Sequence, residues 1–393
     1  MVARRTLAVA LTVGVLPWSF LHAQAARALS RPDAEFPEPF TQVTGVRELR
    51  DGRLVVIDSR DKIIQLVDFK GGTGTKIGRE GSGPGEYAFP MRLVPLPGDS
   101  SGVYDMLNSR TLVVLPDGKT GGFITTEAAA VGGGAGGTVR IGGAAPRFTD
   151  TRGRLYWLGQ PFGPPTGDGP PKSADSVPVV RYDRGTKKTD SLAWVRVPKN
   201  NVQTSGTSGN MQVRVGIANP FQPRDEWAVL PDGRIAVLRS PEYRVDWYGP
   251  SGKSSGTPIP YEKLKLTEAH KAQWREARKQ QTTMMVTMNN GQRSVRTGPP
   301  PADLPDPGNW PELLPPFIDN AVFVAPNGMI WVNRTRGATD DTPNFDVIDP
   351  TGKVAMRVEL PAKTRLVGIG SGTVYATRTD EDDLQYLQRY RLP

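Results

Sequence analysis

Short apolar runs alternate with tight turns along most of this chain, and one pattern of runs and turns recurs six times. Its fullest form is Leu230-Pro-Asp-Gly-Arg-Ile-Ala-Val-Leu238, a polar loop at 239–242, Tyr243-Arg-Val-Asp-Trp-Tyr248 and a closing turn, Gly249-Pro-Ser-Gly252. The first copy reads Arg50-Asp-Gly-Arg-Leu-Val-Val-Ile-Asp58, then Ile63-Ile-Gln-Leu-Val-Asp68 and Gly71-Gly72. Further copies pair 102–106 with 111–118, 152–158 with 179–183, 326–332 with 345–352, and 370–376 with 385–390. Asp-Gly and Asn-Gly between apolar runs suit two-residue hairpin turns, whose central residues take positive φ. Each copy is therefore read as a small antiparallel meander.

Runs such as Ile235-Ala-Val-Leu238 are apolar at every position, so both faces of the sheet need cover. Radial repetition of four-stranded sheets supplies that cover. The expected fold is all-β: a six-bladed β-propeller of four-stranded antiparallel blades. The first-hairpin glycines are taken as Gly52, Gly102, Gly153, Gly233, Gly328 and Gly372. After Gly372 the chain has room for only two more strands. The sixth blade must then borrow its outer strand from the segment 26–36, where Pro32 is tolerable because an outer strand has an unpaired edge. Residues 26–393 are expected to form one domain closed by that N-terminal strand, with an insert at 261–317 between blades 4 and 5.

The segment Gly78-Arg-Glu-Gly-Ser-Gly-Pro-Gly-Glu-Tyr-Ala-Phe-Pro90 resembles the interblade signature of NHL-repeat propellers, a glycine-rich loop followed by Gly-Glu-aromatic and Pro. The run 51–58 resembles the segment that follows it in that family. Later blades keep the hairpin and lose Gly-Glu-Tyr. In broad architecture the chain is similar to exported NHL-like or TolB-like six-bladed propellers. The resemblance implies the fold; it implies no particular activity, because propellers host many.

Composition narrows the chemistry. The 393 residues include 44 Gly, 37 Pro, two His and no Cys, which excludes disulfides, thiolate metal sites and Cys nucleophiles. Arg4 and Arg5, the apolar stretch 6–21 and Ala23-Gln-Ala25 make a secretory signal, read as residues 1–25. Its removal takes away His22 and lowers the net charge from +9 to +7. Beyond it no apolar run is long enough to span a bilayer. A periplasmic or secreted protein follows, with no nucleic-acid partner expected since no such motif accompanies the basic charge.

The turns between strands 1–2 and 3–4 are short, whereas the long segments 119–147, 160–177, 199–222, 261–317 and 333–344 fall on 2–3 or 4–1 connections. Those connections share one face of the disc, and long loops on a rigid scaffold are where function concentrates. Within the largest insert, Thr267 and Glu268 open a helix to about Gln281, with Lys271, Arg275, Arg278 and Lys279 along one stripe. Such a stripe is either a lid turned toward a ligand or a solvated face. Residues 298–316 read as Pro-rich extended coil. Gly132–Gly137 contains G-x-G-x-x-G without the strand and helix a dinucleotide site needs, so it reads as a loop.

Candidate ligand-binding residues are Arg60, Arg110, Arg239, Arg334, Arg336 and Arg378, each at or near the end of a second strand. Guanidinium groups ringing the mouth would hold carboxylate or phosphate; alternatively each pairs with a nearby Asp or Glu and ties blades together. No catalytic residue, metal ligand or cofactor is assigned. Propeller lyases, paraoxonase-type lactonases and quinoprotein dehydrogenases need more imidazole than His270 supplies. The Ser-x-Asp-x-Gly-x-x-Trp boxes of sialidases are absent. The expected function is an exported binding or scaffold propeller that engages a protein partner or an anionic envelope component through its long-loop face. The alternative is a Ca-dependent, gluconolactonase-like hydrolase with carboxylate and Asn ligands in the central channel.

Overall fold

Each tight turn of the repeat folds two apolar runs against each other, and the resulting meanders assemble into a ring. The computed structural model describes residues 26–126, 145–159, 175–198, 219–280, 306–307 and 309–392, together with the strands 201–208, 211–217, 283–289 and 292–298. The expected signal at 1–25 and the glycine-rich loop at 132–137 lie outside the described residues. Blade 1 comprises Val43–Glu48, Leu54–Asp58, Ile63–Asp68 and Thr73–Lys76. Blade 2 comprises Pro90–Pro95, Ser101–Asp105, Arg110–Val114 and Thr120–Ile124. Blade 3 comprises Phe148–Thr149, Leu155–Leu158, Ser176–Asp183 and Lys188–Arg196. Blade 4 comprises Glu226–Val229, Ile235–Arg239, Arg244–Gly249 and Gly252–Ser255. Blade 5 comprises Val322–Val324, Ile330–Asn333, Asn344–Ile348 and Val354–Glu359. Blade 6 comprises Thr364–Ile369, Thr373–Thr379 and Gln385–Arg391.

The fourth strand of blade 6 comes from the N-terminal segment. Ala34 pairs with Arg389 and Glu35 with Gln388, both antiparallel. The Phe36 N–H donates to the Leu387 carbonyl at 2.8 Å, and the Phe36 ring is fully buried. Just upstream, Arg27 and Ala28 run parallel to the outer strand of blade 5, opposite Val358 and Glu359. Each innermost strand contacts the next around the ring, and blade 6 returns to blade 1.

The core is divided among the seams between blades. Ala228, Leu238 and Tyr243 of blade 4 pack on Ile330, Val332 and Ile348 of blade 5. Trp331 and Phe345 of blade 5 pack on Leu366 and Val374 of blade 6. The two faces of one sheet thus serve two seams, which is why the second strands are apolar without alternation. Tyrosines add directed bonds across seams: Tyr243 Oη donates to Asp346 Oδ2 at 2.7 Å, and Tyr375 Oη to Glu48 Oε2 at 2.6 Å.

The segment 78–90 has a mechanical explanation. Gly85 turns at φ +74°, where a Cβ would come within 2.6 Å of Thr120 Oγ1. Glu86 closes the loop by accepting the Gly83 N–H at 2.8 Å and bonding Arg79 at 2.7 Å. Tyr87 is buried in the seam between blades 1 and 2, where its hydroxyl accepts the Ile64 N–H. Asp105, at the end of the second strand, then accepts the N–H groups of Ala88 and Phe89 at 3.1 and 2.9 Å. Asp58 does the same in blade 1 for Thr41 and Gln42. A buried carboxylate bonded to backbone donors is stable there.

Three expectations are corrected. The turn glycine of blade 2 is Gly98, at φ +71°, inside the short 3-10 turn Pro97–Asp99. Gly102 lies instead in the second strand, where a Cβ would meet Thr111 and Val94 at 3.0 Å. The loops around 199–222 and 261–317 also contain more strand than expected, as hairpins pair 201–208 with 211–217 and 283–289 with 292–298. The start of the expected loop 119–147 is the fourth strand of blade 2. The helix forms at Glu268–Gln280, close to its expected range.

Candidate functional site

The six innermost strands surround a central cavity of about 1300 Å³. Its wall toward the long-loop face carries Arg92 of blade 2, Arg147 just ahead of blade 3, Asn320, Asn333 and Arg336 of blade 5, and Arg365 of blade 6. The wall toward the short-turn face carries Arg47, Glu48 and Asp99. These last groups are satisfied by the protein: Arg47 bonds Asp99 at 2.8 Å, and Glu48 accepts from Thr373 and Tyr375.

The arginines near the other mouth differ among themselves. Arg147 is held by the fully buried Glu226 at 2.8 Å and lies over the Phe148 and Trp227 rings. Arg365 Nη2 donates to the Val43 carbonyl at 2.6 Å and to Gln385 Oε1 at 3.2 Å, and has no carboxylate partner among the described residues. Arg92 forms no ion pair among the described residues. Burial, followed by the charge of Arg147, pushes the Arg92 pKa below its usual value. Burial does the same to Arg336 and Arg365. Among the described residues Arg336 Nη1, a donor, and Asn333 Oδ1, an acceptor, are buried without a hydrogen-bond partner. Asp319 and Glu226 act on Arg92, and Asp340 and Asp341 on Arg336, without forming an ion pair, so desolvated cations are left able to favour an anion.

Of the six arginines expected from the sequence, only Arg336 lines the cavity. Arg239 donates to Asp246 at 2.8 Å and Asp225 at 2.6 Å. Although burial opposes it, these bonds raise the Arg239 pKa. Arg334 lies 3.7 Å from Asp346, which Arg357 also holds at 3.0 Å. Arg378 pairs with Glu35 of the closing strand at 3.2 Å and sits over Tyr386. Arg110 stacks on Phe123 at 3.5 Å and donates to the Gly83 and Glu86 carbonyls. Arg60 is exposed in its turn, its N–H bonded to Asp58. The geometry therefore scatters these residues over seams and turns rather than gathering them. The other cationic residues that line the cavity near this mouth, Arg92, Arg147 and Arg365, were missed because no turn marks them. Their signal is a charge among apolar neighbours in or beside an innermost strand, as in Met91-Arg92-Leu93.

The insert helix docks beside this wall. His270 is buried; its Nδ1 accepts the Thr267 N–H at 3.2 Å, and its Nε2 meets the Arg336 carbonyl at 3.3 Å. Phe221 packs edge-on to His270 and against Trp310, which also meets Trp274. The helix's cationic stripe is largely paired: Lys271 with Glu268 at 2.6 Å, Arg275 with Asp306 at 2.6 Å and Lys279 with Glu276 at 3.0 Å. Arg278 lies over the Trp274 ring. The stripe behaves as a solvated, self-neutralised face.

The carboxylates near the mouth are also engaged: Asp225 by Arg239, Glu226 by Arg147 and by the Asn320 N–H, Asp346 by Arg357 and Tyr243. Among the described residues no group of three His, Asp or Glu side chains is placed to hold a metal ion. What the wall offers chemically is donors for an anion.

No family model matches the chain, and no curated protein matches it either. Solved structures with a similar course include a gluconolactonase of Xanthomonas campestris, 12% identical over 91% of each chain with a TM-score of 0.40. A calcium-binding regucalcin of Agrobacterium tumefaciens is 11% identical over 94% of this chain and 98% of that one, TM-score 0.36. A Bacteroides fragilis protein taken to be exported is 13% identical over 93% and 100%, TM-score 0.44. Likeness at this level adds nothing about activity. Among the described residues no helix is long and apolar enough to cross a membrane.

Proposed function

We propose that the protein is an exported, non-catalytic binding propeller that engages an anionic partner, a protein segment or an envelope component, at its long-loop face. The observation that carries this reading is the set of three cavity-wall arginines, Arg92, Arg336 and Arg365, that lack a carboxylate partner among the described residues. Arginine facing a confined, partly desolvated cavity binds carboxylate or phosphate by paired donors. The basic n-region and Ala23-Gln-Ala25 support export, and the Gly78–Pro90 loop supports an NHL-like lineage.

A metal-assisted hydrolase would need free carboxylate and Asn side chains converging on the channel axis. Asn320 and Asn333 line the cavity, whereas Asp225, Glu226 and Asp346 are tied to arginine. Binding is therefore the better-supported reading. It is tested by calorimetric titration of the mature protein with polyglutamate and inorganic phosphate at low and physiological salt. Binding that weakens with salt and in Arg365→Gln is expected; no heat with any anion would sink the reading.

A further inference from the structure

The unpartnered arginines stand on opposite walls. In a ring of six, blade 2 faces blade 5, and the innermost strands are in ring contact in chain order. Arg92 belongs to the innermost strand of blade 2, three blades away from Arg336 and Asn333. Arg365, in the innermost strand of blade 6, is next to the blade 5 wall. Arg92 and Arg365 occupy similar depths, since Arg92 registers with Tyr104 and Arg365 with Thr377, each near the end of its second strand.

A lone phosphate or carboxylate fills only a small part of a cavity of about 1300 Å³. Yet each wall presents an arginine without an ion pair among the described residues, Asp319 and Glu226 acting on Arg92, and Asp340 and Asp341 on Arg336, only at longer range. The blade 5–6 side has the donor Arg336 Nη1 buried without a partner among the described residues, with Arg365 adjoining. On the blade 2 side, Arg147 is already neutralised by Glu226, whereas Arg92 forms no ion pair among the described residues. Resting on the binding reading above, we infer that the channel takes a ligand with two separated acidic groups, one held by Arg336 and Arg365 and the other, across the channel, by Arg92.

The shared chemistry is a bis-anion, and the two sources of acidic group are separated by probe. Calorimetry would compare butyrate with α,ω-dicarboxylates from succinate to sebacate, and ethyl phosphate with alkane bisphosphates of matching lengths. Holding one end raises the effective concentration of the other, so one chain length should bind about tenfold or more tightly than the mono-anion. Whichever series shows that optimum names the acidic group. Arg92→Gln and Arg336→Gln should each reduce the best bis-anion to mono-anion affinity, and the double variant should lose little more. Because neither side chain bonds a carboxylate among the described residues and burial disfavours both charges, thermal melting should not fall in either, which guards against a folding defect. Equal affinity for mono- and bis-anions, a flat length series, or an unaltered preference in Arg92→Gln would overturn the two-point site and leave the binding reading standing. Absence of binding to every anion would overturn both.

Discussion

Arg239 and Asp246 face each other from adjacent strands of blade 4, Nε to Oδ2 at 2.8 Å, and the same guanidinium reaches Asp225 at 2.6 Å. One blade on, Arg334 and Asp346 occupy the equivalent positions at 3.7 Å, as the matching registers Ile235 to Tyr248 and Ile330 to Ile348 show. In blade 4 the cation stands where blades 1 and 2 have Asp58 and Asp105, and the carboxylate Asp225 sits at the start of the innermost strand. Charge has been exchanged while the seam stays satisfied.

The consequence is a stability prediction. The side chains of Asp225 and Asp246 are 0% and 1% exposed, so Arg239→Ala strands Asp225 without a cation and leaves Asp246 to Arg244 and Lys253. Breaking a buried pair by removing one partner costs roughly 3–5 kcal/mol. Arg334→Ala should add less, because Arg357 and Tyr243 still hold Asp346. Urea unfolding of the single and double variants measures this. Affinity for a small anion should be unchanged, since neither arginine lines the cavity. A full-stability double variant would contradict the seam role.

Acid should expose the same pair. Burial alone would raise the Asp246 pKa, but bonds from Arg239, Ser255 and Arg244 outweigh it and hold the carboxyl below its usual 3.8. A carboxylate with a depressed folded pKa contributes stability above its unfolded value and loses it as pH falls through the folded one. Asp33, held low by Arg389 and Arg391 at the ring closure, acts in the same direction. The melting temperature should therefore be lost below about pH 4. The gap between wild type and Arg239→Ala should narrow over that range. A gap that widens toward low pH would show that the pair is not the source.

How far the sequence disclosed this arrangement depended on where polar residues fell. Blades 1, 4 and 5 were plain because Asp51-Gly52, Asp232-Gly233 and Asn327-Gly328 separate unbroken apolar runs. In blade 2 the turn Pro97-Gly98-Asp99 lacks that dipeptide, and Gly102 drew attention though it serves packing. The hairpin at 283–298 had a readable mark in Asn290-Gly291, obscured by its polar flanks. The strand-end arginines were visible as a set, but pairing depends on which carboxylate lies across the sheet, and Asp246 and Asp346 are mid-strand. The cavity wall was the least legible part. Whether an innermost-strand residue such as Arg92 faces the axis is set by register and ring closure, not by local pattern.

Closure by the N-terminal segment makes the ring one cooperative unit in expectation. Phe36→Ala removes a fully buried ring from the seam between blades 6 and 1. Such a change costs roughly 3–5 kcal/mol. The scanning-calorimetry transition should move down in temperature while staying single. Two resolved transitions in the wild type would mean that the halves fold separately.

Chelation separates the two functional readings cheaply. With no described cluster placed to hold a metal, excess EDTA should leave the melting temperature unchanged. A fall that calcium restores would mean that a cation binds the native state preferentially, because only such a ligand stabilises by mass action. That outcome would turn the assignment toward the hydrolase.

The six seams are unequal, and the difference should show in hydrogen exchange. Fourteen buried residues join blades 4 and 5, whereas three, Leu96, Ile124 and Leu155, join blades 2 and 3 among the described residues. The fourth strand of blade 2 reads Thr-Gly-Gly-Phe-Ile, so Gly121 and Gly122 bring no side chain to bury. The innermost strand of blade 3 is only Phe148–Thr149. Sub-global opening follows low local burial, because amides there exchange at a cost below the global unfolding free energy. Amides of 120–124 and 148–149 should therefore exchange well before those of Ile235–Arg239, whose strand is buried on both faces. Leu155→Ala should widen that difference by loosening the thin seam further. Uniform protection around the ring would contradict this ranking of the seams.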